Sequence, residues 1–138
     1  TEGRIINQMI DKYVEENPQN NIAFSSMGQL RYISSLYYIT AVAGNSSSGI
    51  IETPTFKVPT INIGEREEGR IMADNIICCE QNVYSIKSAL DKALSSDFKK
   101  SLVNMSNPYE QDNTALSIAK LLEEVELPKL TKKEFYDL

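Results

Sequence analysis

At 138 residues, with 41% hydrophobic and 24% charged side chains, the chain has the size and balance of one soluble globular domain able to bury a core. Its net charge of -5 excludes an extended nucleic-acid surface, which needs concentrated Lys and Arg, and leaves room only for a local anion site. There is no His, and the two cysteines, Cys78 and Cys79, are adjacent, so metal ligation, imidazole acid/base chemistry and a disulfide framework are not expected. The apolar runs fall short of the ~20 residues of a membrane span and no secretory pattern opens the chain, so no membrane partner and a cytoplasmic location are the expectation. The opening Thr1-Glu2-Gly3 lacks a Met and reads as part of something longer.

Ile5, Ile6, Met9, Ile10, Tyr13 and Val14 recur at helical spacing, which predicts an amphipathic helix over residues 2–16, stopped by Asn17-Pro18-Gln19-Asn20. Asn21-Ile22-Ala23-Phe24 reads as a short strand, and Ser25-Ser26-Met27-Gly28 as a loop able to cap a helix carrying Leu30, Ile33, Leu36 and Tyr37. Further strands are expected at residues 40–43, 58–63 and 75–79. Asn82 can cap a helix with Ile86, Leu90 and Leu94 on its buried side, and residues 113–126 repeat the pattern with Leu116, Ala119, Leu122 and Val125. Short apolar strands alternating with helices point to an α/β fold with a parallel sheet.

In such a sheet, ligands gather where strands run out into helices. The stretch from Gly44 to Pro54, "GNSSSGIIETP", occupies such a place. A helix beginning near Ser48 would aim its unpaired N–H groups and the positive end of its dipole at the loop mouth. The hydroxyls of Ser46 and Ser47 add donors, and Gly49 admits a ligand close to the backbone, so a phosphate would fit. Glu52, one turn further on, could accept hydrogen bonds from vicinal hydroxyls such as those of a ribose. Together these residues read as a nucleotide site.

Plainer readings of the same residues stand beside this one. A Ser-rich loop before a helix serves as an N-cap, and a lone Glu is a solvated helix residue. In the segment "GEREEGR", Arg66 and Arg70 can simply sit on an exposed face with Glu65, Glu67 and Glu68 as local partners. Cys78 and Cys79 can pack as small apolar residues at a strand end. Asn45-Ser46-Ser47 and Asn104-Met105-Ser106 match the glycosylation pattern, which is short enough to arise by chance.

Taken in order, residues 24–70, "FSSMGQLRYISSLYYITAVAGNSSSGIIETPTFKVPTINIGEREEGR", resemble the UDP-N-acetylglucosamine 2-epimerases, most closely the hydrolysing branch of sialic acid biosynthesis. The resemblance implies one Rossmann-like half of a two-domain glycosyltransferase-B architecture. Residues 1–127 would then be a C-terminal nucleotide-binding domain, incomplete at its start, and residues 128–138 a tail packing toward the other half. It further implies that Ser46 and Ser47 hold the diphosphate of UDP, Glu52 the ribose and Arg66 the phosphate pocket. The backbone near Met27 would meet the uracil, with Gly49 and Arg70 as further phosphate contacts. The implied partners are UDP, UDP-N-acetylglucosamine, the other domain and like chains in an oligomer, with no cofactor. No catalytic residue is assigned here, because the family's catalytic carboxylates belong to the first half. Glu67 departs from the pattern, which usually has Gln there. The alternatives are a relative acting on a UDP-linked diacetamido sugar, a glycosyltransferase of the same architecture, and a noncatalytic nucleotide-sugar module.

Overall fold

The computed structural model describes residues 2–125. Three short parallel strands form its sheet in the order β1 (Val42–Gly44), β2 (Thr60–Ile63) and β3 (Ile76–Cys79). Val42 stands opposite Thr60, and Thr60 opposite Ile76. Helices α1 (Glu2–Glu16) and α2 (Gly28–Ser35) precede the sheet, the single-turn α3 (Ser48–Ile51) connects β1 toward β2, and α4 (Val83–Leu94) follows β3. The chain continues through α5 (Ser96–Ser101) and α6 (Thr114–Glu124). This is the expected α/β fold with a parallel sheet, the arrangement of a Rossmann-like half.

Side chains alternate along β2 and so divide the structure into two layers. Ile61 faces Ile77, Ala89 and Ala93, with Ala41, Ile63, Cys79 and Phe98 packed around them. Thr60 and Asn62 point the other way, toward α3 and the loop before it. The ladder starts at Thr60 for a chemical reason: Pro59 has no N–H to donate, and the Val58 carbonyl is occupied by the Asn75 side-chain amide at 2.7 Å.

Capping sets the helix ends. Asn82 Oδ1 accepts from the Ser85 N–H at 2.9 Å and starts α4, as its side chain suggested. Ser95 ends α4 in an extended conformation, and its hydroxyl accepts from the Phe98 N–H at 3.2 Å, opening α5, an element the sequence pattern did not reveal. Ser26 Oγ accepts from the Gly28 N–H at 3.2 Å at the start of α2.

Four expectations need correction. Residues 21–24 form no strand: the Asn21 N–H stays bonded to Asn17 O at 3.2 Å in the turn that ends α1, and no strand among the described residues pairs with the segment. β1 begins two residues later than expected, where the Val42 N–H first finds an acceptor in Pro59 O at 2.9 Å. On α4 the buried residues are Ala89 and Ala93, not Leu90 and Leu94, which are 37% and 52% exposed, and on α6 the expected buried side fails likewise, with Leu116, Ala119 and Leu122 exposed. Small side chains let α4 lie close on Ile61 and Ile77, and its leucines fall on the flank. The expected tail over residues 128–138 lies outside the described residues.

Candidate functional site

β1 delivers the chain at Gly44 into Asn45, Ser46 and Ser47, at the carboxyl edge of the sheet. The turn then closes on itself: Gly49 N–H donates to Ser46 O at 3.0 Å, Ile50 N–H to Ser47 O at 2.9 Å, and Ser48 N–H to Ser46 Oγ at 3.4 Å. The helix behind the loop is therefore four residues long, with a small dipole and fewer free donors than a full helix tip would offer. The N–H groups of Ser46 and Ser47 and the Ser47 hydroxyl have no acceptor among the described residues.

A buried polar network fixes this loop from below. Thr53 Oγ1 donates to Gly49 O at 2.6 Å and lies 2.7 Å from Thr60 Oγ1. Asn75 Nδ2 donates to Thr53 Oγ1 at 3.0 Å. All three residues are buried, so α3 is tied through hydroxyls and an amide to β2 and the start of β3. Ser48 donates its hydroxyl to the Tyr32 hydroxyl, tying α3 also to α2. Sequence reasoning missed Tyr32, Asn62 and this network, although the alternation Thr60, Ile61, Asn62, Ile63 already placed two polar side chains on one face.

Two hollows meet at Asn62. One, of about 330 Å³, is lined by Tyr32, Gly44, Ser46, Ser48, Gly49 and Asn62 together with apolar residues of β1. The other, of about 880 Å³, lies beyond the carboxyl ends of β2 and β3 and is bordered by Gly64, Arg66, Met72, Cys78 and Gln81. Ser46, Gly49 and Arg66 thus border adjoining hollows, whereas Ser47, Glu52, Met27 and Arg70 line neither. Glu52 ends α3 half-buried, and its Oε2 is shielded from solvent with no hydrogen-bond donor among the described residues. Met27 sits half-buried at the start of α2.

Of the acidic residues in "GEREEGR", only Glu67 pairs with the arginines. It is 2% exposed, with Arg70 Nε at 3.0 Å from Oε2 and Arg66 Nε at 3.7 Å from Oε1. The contact at 3.0 Å is an ion pair out of line for a hydrogen bond, so Oε2 has a charge beside it and no donor pointing at it. Both cysteines are free. Burial, and then the neighbouring Cys78, push the Cys79 thiol above its ordinary value. Among the described residues, no group of three or more His, Cys, Asp or Glu side chains could hold a metal ion.

The arrangement offers hydroxyl and amide donors in one hollow, a cation at the edge of the next, and a carboxylate one turn behind. The profile of the UDP-N-acetylglucosamine 2-epimerase family matches residues 1–123. The chain is 39% identical over 137 residues to a "GDP/UDP-N,N'-diacetylbacillosamine 2-epimerase (hydrolyzing)" of Campylobacter jejuni, which covers 99% of this chain and 35% of that protein. It is 31% identical to a polysialic acid biosynthesis protein of Escherichia coli, over 78% of this chain and 28% of the relative. A "UDP-N,N'-diacetylbacillosamine 2-epimerase (hydrolyzing)" of Legionella pneumophila is 30% identical, over 92% of this chain and 32% of the relative. The chain therefore spans about a third of the length of these curated relatives.

Proposed function

The chain belongs to the UDP-N-acetylglucosamine 2-epimerase family, and from that premise we propose that it supplies the UDP-binding part of a hydrolysing 2-epimerase acting on a UDP-linked 2-acetamido sugar, with UDP-N-acetylglucosamine as substrate. The observation that carries this is the loop at the carboxyl end of β1, where Ser46 and the backbone of Gly49 border a hollow next to the cleft that Arg66 edges. The free N–H groups of Ser46 and Ser47, with their hydroxyls, suit a diphosphate, to which Arg66 adds a cation. Glu52 carries a shielded carboxylate oxygen without a donor among the described residues, the acceptor we assign to a ribose hydroxyl. The backbone near Met27 then meets the uracil.

In the reaction, the sugar loses the proton at C2 while the bond from C1 to the diphosphate oxygen breaks. This leaves a 2-acetamidoglucal and UDP. Water then adds across the double bond, returning hydrogen to C2 on the opposite face and hydroxyl to C1, which gives N-acetylmannosamine. The residues of this chain act on the leaving group: donors fixed around the diphosphate stabilise the charge that grows there as the bond breaks. By the family resemblance, the groups that move protons belong to the other domain. A second reading, a substrate with two acetamido groups, is favoured by the activities for which the Campylobacter and Legionella relatives are named.

The test is a comparison of the two UDP-sugars with the intact protein, following UDP release together with the free sugar. Release of UDP with a C2-inverted sugar carrying solvent hydrogen at C2 is expected. Transfer of the sugar to an acceptor without inversion at C2 would refute the proposal. Faster turnover of the diacetamido sugar would select the second reading.

A further inference from the structure

Glu67 has no part in the contacts assigned above, yet it is the most deeply buried acidic residue of the segment from Gly64 to Arg70. A buried carboxylate is held in place only if donors compensate for its lost hydration. Here the compensation is incomplete: Oε2 has no donor in line, and Arg66 Nε approaches Oε1 no closer than 3.7 Å. A neutral side chain of the same shape would fill the space without that cost. The two guanidiniums that share this carboxylate stay 68% and 48% exposed, and Arg66 edges the cleft. Among the described residues around that cleft, the carboxylates of Glu65, Glu68 and Glu80 outnumber the Arg66 cation.

We propose that Glu67 is a buried counter-ion which sets the charge of the Arg66 edge, weakening its hold on the diphosphate of a nucleotide or nucleotide sugar so that the released UDP can leave. The inference rests on the proposal that Arg66 faces the diphosphate. The long contact to Arg66 decides the sign. At 3.7 Å the carboxylate does not grip that guanidinium by a hydrogen bond, so its removal costs little orientation, whereas its charge acts on a guanidinium 68% exposed at a wet edge, within reach of salt. A nucleoside without phosphate carries no charge to feel this and should be indifferent to Glu67.

The experiment is a calorimetric titration of UDP and of uridine into the intact wild-type protein and its Glu67→Gln variant, at about 0.01 M and about 1 M salt, where the screening length falls from roughly 30 Å to roughly 3 Å. At low salt, Glu67→Gln should bind UDP about three- to tenfold more tightly, the size of one charge acting at a few residues' distance across a partly wet edge. Uridine should be unchanged, and the gain should vanish at high salt, which a merely structural role would not produce. Equal or weaker UDP binding by the folded variant at low salt overturns the inference. Should the variant not fold, wild type alone decides: with carboxylates in excess of Arg66 at its edge, UDP affinity should fall by less than about threefold between the two salts, and a steeper fall overturns the inference. Wild type binding UDP no more tightly than uridine would instead overturn the underlying phosphate assignment.

Discussion

Replacing Gly49 by Ala sets two effects of known sign against each other at the centre of the site. Gly in a helix costs roughly 0.5–1 kcal/mol relative to Ala, so propensity alone predicts a more stable protein. Against this, a Cβ at position 49 would stand 3.0 Å from Thr60 Cγ2. The methyl cannot swing away, because the Thr60 hydroxyl is held at 2.7 Å by Thr53 Oγ1, to which it donates while Thr53 donates to Gly49 O. The turn must move instead, pulling the Gly49 carbonyl from the Thr53 hydroxyl that bonds it at 2.6 Å. Overpacking of a buried contact typically costs about 1–3 kcal/mol, so the net expectation is a loss of about 1–2 kcal/mol. Urea denaturation measures it. Thr60→Ser removes the obstructing methyl and keeps the hydroxyl, costing roughly 1 kcal/mol alone, and the double variant should be more stable than the sum of the two losses by about 1 kcal/mol. A stabilised Gly49→Ala, or a double variant whose losses simply add, would refute this account of how the loop is held.

The placement of ribose and phosphate separates two sets of substitutions. Glu52→Gln should weaken UDP and uridine alike by about 1.5–3 kcal/mol, while Ser46→Ala with Ser47→Ala should weaken UDP and spare uridine; calorimetric titration in the intact protein reads both. Asn75→Asp would aim a carboxylate oxygen at Val58 O, where the amide now donates at 2.7 Å, and should cost about 3 kcal/mol or more in denaturant unfolding. For Cys79, the raised folded value means that the native state holds the thiol proton to higher pH than the unfolded chain does. Its contribution is therefore fully present below the ordinary value of 9.0 and lost as pH rises through the folded value, so Cys79→Ala should flatten the alkaline limb of a stability profile.

The sequence by itself determined what depends on near neighbours. The periodic Ile, Met and Tyr of residues 5–14 specified α1, Asn82 the start of α4, and the run of Ser46, Ser47 and Gly49 between an apolar strand and a turn identified the loop that carries the ligand reading. The family likeness of residues 24–70 was legible for the same reason, since the order of short motifs is a one-dimensional property. Tertiary structure alone decided everything that depends on distance across the fold. Residues 21–24 have strand character but no ladder partner among the described residues, and a strand exists only by pairing. Ala89 and Ala93, rather than the larger leucines, are buried because close approach of α4 to Ile61 and Ile77 excludes bulk. Thr53, Thr60 and Asn75 look like ordinary polar residues along the chain, and only the fold brings their hydroxyls and amide together beneath Gly49. Glu67 reads as one more charge in an acidic segment until packing buries it between two arginines, where the lost hydration makes its charge felt across the cleft edge.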